Sequence, residues 1–519
     1  MATKNSASTH NSNKQAAIVA IDLGGQGPAA ALYSASGECL LYQHRDCQAQ
    51  RSDDGRRVEY DCDDYTRAAV SAIKALQYYP DKADLLYVGI TGQGSSFVCW
   101  DKNNGRALTP IISWQDTRAS EFLTQDFAPD IEKITGLKTS AHFGATKLSW
   151  CLKHLSEVQE ANRDGRLAFG PLNTYLLFIL TQGQQHLCDP GTAQRTLLWN
   201  IQRSDWSHSL VQYFCIPPSA LPLLRQNIDD YGHISLPALG CESLRVSAMH
   251  RDQNASLYAD GDIDTDSLYI NMGTGIFAQR VATSKKAPTG LLTSPALFCG
   301  HHKKMVWEGS VNGGAAALSW LQQQIPGSEP ITPQRVELAL AQDLSDWSGC
   351  LINSVSGLGA PYWRTDIATE FMGADSVDEK LCGWVESLIF QLADIAILLQ
   401  RDSICQRIEI SGGMAASPGL CQRLADLLGL VVVRRQDIES SLRGIAFLAV
   451  NRPRDWPARP IDKQFMPRIN AQYNSQVSSQ VSSQVSSQIN SQDNSGLQRR
   501  FALWQQAMQT RIAGDSTNA

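Results

Sequence analysis

A chain of 519 residues is several times longer than one hydrophobic core needs, so two domains with appendages are expected and a small disulfide-stapled scaffold is excluded. Apolar residues make up 43% and charged residues 18%, while 45 basic against 51 acidic side chains leave a net charge of -6, which offers nucleic acid no polycationic surface. No run approaches the roughly 18 uninterrupted apolar residues of a membrane span, and the polar start MATKNSASTHNSNKQ lacks a secretory core, so a cytoplasmic protein without a membrane partner is expected.

Residues 1–14 are rich in Asn and Ser with no apolar anchor and are predicted to be a disordered tail. Folding starts with a buried-strand pattern at Ala17 to Asp22, followed by Gly24, Gly25, Gln26 and Gly27. Gly25-x-Gly27-x-x-Ala30 can be read as a dinucleotide fingerprint, but that reading demands a helix next. Instead, Ala30 to Ser34 and Glu38 to Gln43 flank the turn signal Ala35-Ser36-Gly37, which predicts an antiparallel return strand. A strand ending in Asp22 and followed by glycines gathers backbone N–H groups and one carboxylate at one edge, a combination that suits a magnesium-nucleotide. The competing reading is a tight hairpin in which Asp22 only caps the turn.

Thirteen cysteines lie scattered from Cys39 to Cys421 without a C-x-x-C pair, which predicts buried thiols rather than a metal or disulfide framework. The acid-rich YADGDIDTDS marks the main break near residues 254–266, just after Asp252 in MHRDQNAS, a carboxylate at a helix start whose alternative role is an N-cap. SLYINMGTGIFAQRV then repeats the opening design, with strand Leu268 to Met272, turn Gly273-Thr274-Gly275 and return strand Ile276 to Val281. In RIEISGGMAASPGLCQRLADLLGLVVVRR, Gly412 and Gly413 separate a strand from a helix and leave bare backbone for a flat ring, or form an ordinary turn. This alternation predicts an α/β fold. Residues 453–496 read as a linker whose Ser475 to Gln492 repeats Val-Ser-Ser-Gln, a polar run unable to offset its ordering entropy. After it, Leu497, Phe501, Leu503, Trp504 and Met508 fall at helical spacing and predict a final helix, within 497–519, that docks on the body.

The order of these elements resembles the FGGY carbohydrate kinases, of the actin and hexokinase superfamily. The stretches that carry the resemblance include VAIDLGGQG, VGITGQGSSFVCW, RDQNAS, NMGTG, WEGSVNGGAAALSWL and ISGGMAASPG, and they extend over about residues 16–451. The resemblance implies two ribonuclease-H-like domains, 15–257 on the sugar side and 258–452 on the nucleotide side, with a cleft between them. It further implies ATP and Mg2+ as cofactors and phosphorylation of a primary hydroxyl of a small sugar or polyol. Asp252 matches the general base, and Asp22, with Asp252, the acidic residues that hold Mg2+. Gly24, Gly25 and Gln26, then Gly273, Thr274 and Gly275, match the two phosphate loops; Ala315, Ser319, Gly413 and Ser417 match further nucleotide positions. Gln93, Gly94, Ser95, Asp116, His142, Asp252 and Gln253 match the sugar side, with Trp114 and Gln115 beside it.

Where glycerol kinases carry Gln-Arg-Glu and xylulokinases Gln-Met-His, this chain has Gln93-Gly94-Ser95, and His142 replaces a tyrosine of the glycerol kinases. Loss of the long side chain at Gly94 implies room for a substrate larger than glycerol, so ketoses of five to seven carbons lead and a glycerol-like or linear polyol follows. The first loop, Gly25-Gln26-Gly27-Pro28, also lacks the hydroxyl residues usual in the family, and Pro28 has no N–H to donate. A catalytically silent nucleotide-binding homologue is therefore the reading from another class. A homodimer is compatible with all of these readings.

Overall fold

A computed structural model of the chain describes residues 15–79, 83–123, 130–273, 275–325, 329–344, 346–436, 439–468 and 496–514. The N-terminal tail, the Val-Ser-Ser-Gln repeat and Thr274 lie outside the described residues. The chain divides into two units, one of 1–262, 297–302 and 439–458, the other of 263–296, 303–438 and 459–519. This partition differs from the expected boundaries, because Glu439–Ala458 leaves the second unit and belongs to the first. The physical reason is close packing by glycine: a Cβ on Gly444 of the helix Ser440–Ala449 would meet the Ala255 carbonyl oxygen at 1.8 Å. One on Gly89 would meet the Ile445 carbonyl oxygen at 2.7 Å, so only bare backbone lets this helix lie on the sheet of the first unit.

That sheet contains β1 (Gln15–Gly24), β2 (Gly27–Ser34), β3 (Cys39–His44), β4 (Ala83–Gly92), β5 (His233–Leu236) and β6 (Cys241–Arg251), ordered β5-β6-β4-β1-β2-β3. β1, β4 and β6 run parallel, whereas β2 returns antiparallel to β1 in the predicted hairpin, which removes the helix a dinucleotide site needs. Ala17 to Ile21 are fully buried, as expected for a central strand covered on both faces. The same unit also holds a five-stranded sheet of Gln50–Arg51, Val58–Tyr60, Ile111–Ile112, Phe97–Asp101 and Leu167–Pro171.

The second unit repeats the plan. Its strand Ser267–Met272 pairs antiparallel with Ile276–Val281 and parallel with Arg407–Ser411, so a glycine hairpin again stands beside a parallel crossover strand. Its longest helix, Val377–Leu399, starts in a capping box of Ser376 and Glu379. By length and apolarity it could cross a membrane, but most of it is buried in the core of this unit.

The predicted final helix is Gly496–Gly514. Phe501 and Trp504 pack on Phe390 with ring centroids 5.3 and 5.9 Å apart, and Arg500 donates from Nε and Nη2 to Glu386 at 2.7 and 2.6 Å. Both members of that ion pair are buried, and Arg423 reaches the same carboxylate at 3.3 Å. Arg500→Ala is expected to lower the unfolding free energy in urea by about 3 kcal/mol, the scale for leaving a buried charge short of its partner. A loss under about 1 kcal/mol, the scale of an exposed pair, would mean that the aromatic contacts alone hold the helix.

Candidate active site

In the first unit, three chain segments emerge at adjoining strand ends. Asp22 on β1 and His250 on β6 both pair in register with Thr91 on β4, and Leu23 and Arg251 both pair with Gly92. Beyond these positions follow Gly24-Gly25-Gln26 from β1, Gln93-Gly94-Ser95 from β4 and Asp252-Gln253 from β6. The carboxyl ends of parallel strands are where open α/β sheets place ligands, since the chains diverge there and leave backbone groups unpaired.

Two carboxylates face this edge. Ser441 Oγ donates to Asp22 Oδ2 at 2.5 Å, while Asp22 Oδ1 is buried without a hydrogen-bond partner among the described residues. Burial first, and then the charge of Asp252, push the Asp22 carboxyl up to about 7. Asp252 opens the short helix Asp252–Ala255 and accepts the N–H of Gln253 on Oδ1 at 2.7 Å. Next to it, Gln253 Oε1 is buried and takes no hydrogen bond among the described residues. An unpartnered hard oxygen beside a second carboxylate fits a divalent cation such as Mg2+, with Asp22 as the residue to hold it.

Among the positions that the resemblance assigns to the sugar, the Gln93 amide is spent on the protein: Nε2 donates to the Gly24 carbonyl at 2.9 Å and Oε1 accepts from Ser96 Oγ at 2.9 Å. Gln93 therefore splints the two loops rather than presenting its amide outward. Asp116 also departs from expectation, because its buried carboxylate accepts from Val58 N–H at 2.7 Å and from Arg118 Nε and N–H. Lys147 Nζ donates to the carbonyls of Ser95 and Ser113 at 2.9 and 2.7 Å, and burial pushes it down to about 7. His142 lies edge-on to Trp114, ring centroids 5.4 Å apart. Burial, then the charges of Lys147 and Arg251, push it down to about 3, so it faces the site as a neutral imidazole.

Gly94 corrects the sequence reading. A Cβ there would lie 2.4 Å from Arg251 Cδ, 2.6 Å from Arg251 Cγ and 3.2 Å from Arg195 Cγ. The missing side chain leaves no hole, because the stems of two buried arginines fill the volume above it.

The remaining positions that the resemblance assigns to the nucleotide lie in the second unit. Gly273 N–H donates to Gly275 across the second glycine turn at 3.1 Å, and Ala315 N–H approaches the Gly273 carbonyl at 3.5 Å. Gly412, at φ +88°, rests on Met272, whose carbonyl oxygen a Cβ would meet at 2.6 Å. Around Gly413 nothing lies within 4 Å of a Cβ, so of the two glycines only this one has open space over its backbone. Ser319 is exposed, whereas Ser417 caps the helix Pro418–Leu428 by accepting Leu420 N–H at 3.1 Å and donates to Glu337, which uses its hydroxyl internally.

Residues 17–257 match the family model described as the FGGY family of carbohydrate kinases, N-terminal domain, and residues 268–451 match the C-terminal domain of that family. The chain belongs to the FGGY family of carbohydrate kinases. Among its relatives, the glycerol kinase of Acidovorax sp. (strain JS42) is 31% identical over 378 residues, 70% of this chain and 75% of that one. The glycerol kinase of Ralstonia pickettii is 29% identical over 447 residues, 83% of this chain and 89% of that one. Similar solved structures include Plasmodium falciparum glycerol kinase with ADP, at TM-score 0.78 and 22% identity over 90% of this chain and 97% of that one. Ligand-bound xylulose kinase from Lactobacillus acidophilus follows at TM-score 0.79 and 19% identity over 97% and 100%. These likenesses establish the two-domain α/β fold of actin and hexokinase, and the family makes the protein a carbohydrate kinase.

Sequence reading passed over several residues that shape the site of this FGGY kinase. Ser441 lies 419 positions from the carboxylate it touches, and no local pattern could pair them. Arg251 stands next to Asp252 in the same motif, where its adjacency was the one available signal. Arg195, Lys147, Tyr60 and Tyr65 carry no spacing signature.

Proposed function

We propose that the protein transfers the γ-phosphoryl group of ATP to a primary hydroxyl of a small sugar or polyol. The observation that carries this reading is the placement of Asp22 and Asp252 at the carboxyl ends of the two parallel strands that flank β4, with the charge of Asp252 among the causes that raise the Asp22 carboxyl. An alcohol is a weak nucleophile at neutral pH. Asp252 accepts a hydrogen bond from the acceptor hydroxyl and takes its proton as the oxygen–phosphorus bond forms and ADP departs. Mg2+, bound with the nucleotide, would offset the charge of the phosphates, and Asp22 is the residue that would hold it. Gln253, with its buried amide oxygen, accepts from a second acceptor hydroxyl, while neutral His142 and Trp114 line the same side.

The sequence favours ketoses of five to seven carbons through the missing side chain at Gly94. With Arg251 and Arg195 occupying that space, a compact polyol is the second reading and gains weight from a specific contact. A coupled ADP-release assay on purified protein, run across glycerol, longer polyols, ketoses and sugar acids, is expected to show acceptor-dependent turnover with at least one compact acceptor. ATP binding by calorimetry, with no ADP release on any acceptor, would instead make the chain a silent nucleotide-binding homologue.

A further inference from the structure

The first phosphate loop lacks the hydroxyl side chains usual in the family, yet its three carbonyls are all engaged. Gly24 O accepts from Tyr65 Oη at 2.7 Å and from Gln93 Nε2 at 2.9 Å, Gly25 O accepts from Tyr60 Oη at 2.7 Å, and Gln26 O accepts from Cys47 N–H at 2.9 Å. A trans peptide is planar, so its C=O and the following N–H point in opposite directions. The cis peptide among the described residues is Ala360–Pro361, so the peptides of this loop are trans. Holding the carbonyls of Gly24 and Gly25 inward therefore turns the N–H groups of Gly25 and Gln26 outward, where both residues are exposed. Neither N–H donates to a protein acceptor among the described residues.

We propose that Tyr60 and Tyr65 are positioning residues for the nucleotide phosphates, their phenol hydroxyls fixing the loop so that the N–H groups of Gly25 and Gln26 replace the missing side-chain hydroxyls. Their surroundings suit that task. Tyr60 closes the strand Val58–Tyr60 and Tyr65 lies in the first turn of the helix Cys62–Ala75, whose N-cap Asp61 accepts Asp64 N–H. The two rings meet edge-to-face with centroids 5.3 Å apart, and both are buried, which fixes the hydroxyls under the loop. Burial raises both phenols above their ordinary value, Tyr65 further because Asp22 is near, so both remain donors across the working pH range. On the far side, a Cβ on Gly27 would meet the Arg45 carbonyl oxygen at 2.0 Å, so the loop is seated on backbone as well. Ser96, which donates to Gln93, also accepts Trp114 N–H at 3.1 Å, and this ties the same loop to the sugar wall.

This inference rests on ATP being the phosphoryl donor, and the test separates the two. Calorimetry on the full chain with ATP and Mg2+, and with adenosine as the probe lacking phosphate, compares wild type with Tyr60→Phe, Tyr65→Phe and the double variant. Each lost hydroxyl is expected to weaken ATP binding and raise its KM by about three- to tenfold, with adenosine binding and the acceptor KM unchanged. Equal weakening of ATP and adenosine, or no change in either with the fold intact, overturns the positioning role while the kinase reading stands. If the double variant does not fold, Tyr60→Phe alone carries the comparison. Absence of ATP binding by the wild type overturns the reading of the donor itself.

Discussion

Asp252→Asn is expected to lower kcat by about 10²- to 10⁴-fold, the range that a positioned general base contributes. The substitution keeps the shape of the side chain and the acceptor for Gln253 N–H, so the short helix Asp252–Ala255 should form as before. What it removes is the ability to take a proton, and also one of the charges that raises the Asp22 carboxyl. ATP affinity measured by calorimetry should therefore stay close to wild type or improve. A loss of kcat with ligand binding retained locates the defect in the chemical step rather than in assembly of the site. If more than a tenth of the wild-type kcat survived, Asp252 would not be the base.

How much of this was legible beforehand follows from how local each signal is. Both glycine hairpins could be read because strand, glycine cluster and return strand lie within some 20 contiguous residues, and backbone preferences act at that range. The final helix could be read from Phe501 and Trp504, but its buried ion pair could not, because Glu386 sits 114 positions from Arg500. Gly94 was misread for a related reason. A residue without a side chain says nothing about which distant chain fills the volume, and here Arg251 and Arg195 do so. Asp116 was matched by motif, yet its oxygens are consumed by Arg118 and by the backbone of Val58. The return of Glu439–Ala458 to the first unit depends on Gly89 and Gly444, whose spacing acquires meaning only when helix and sheet touch.

Asp22→Asn should stabilise the metal-free protein at pH 8 while abolishing its response to Mg2+. The Asp22 carboxyl rises from 3.8 to about 7 in the folded chain, chiefly through burial. A carboxyl that is harder to ionise folded than unfolded adds stability where it is protonated; that contribution is complete below about pH 4 and lost as pH rises through 7. A shift of this size corresponds to a cost on the order of 4 kcal/mol once the group is ionised. Asparagine cannot ionise, and its amide oxygen still accepts from Ser441, so the cost disappears with the hydrogen bond kept. The variant should melt several degrees above wild type at pH 8 and together with it below about pH 4, as followed by scanning calorimetry without divalent ions. Added Mg2+ with ATP should raise the melting temperature of wild type and leave that of the variant nearly unmoved, because the deprotonated carboxylate that a cation requires is gone. The same proton competition predicts that apparent Mg2+ affinity of wild type weakens about tenfold per pH unit below 7. Equal melting temperatures at pH 8 would mean that Asp22 is not held at this cost, and the strained carboxylate would then not be the element kept for the cation.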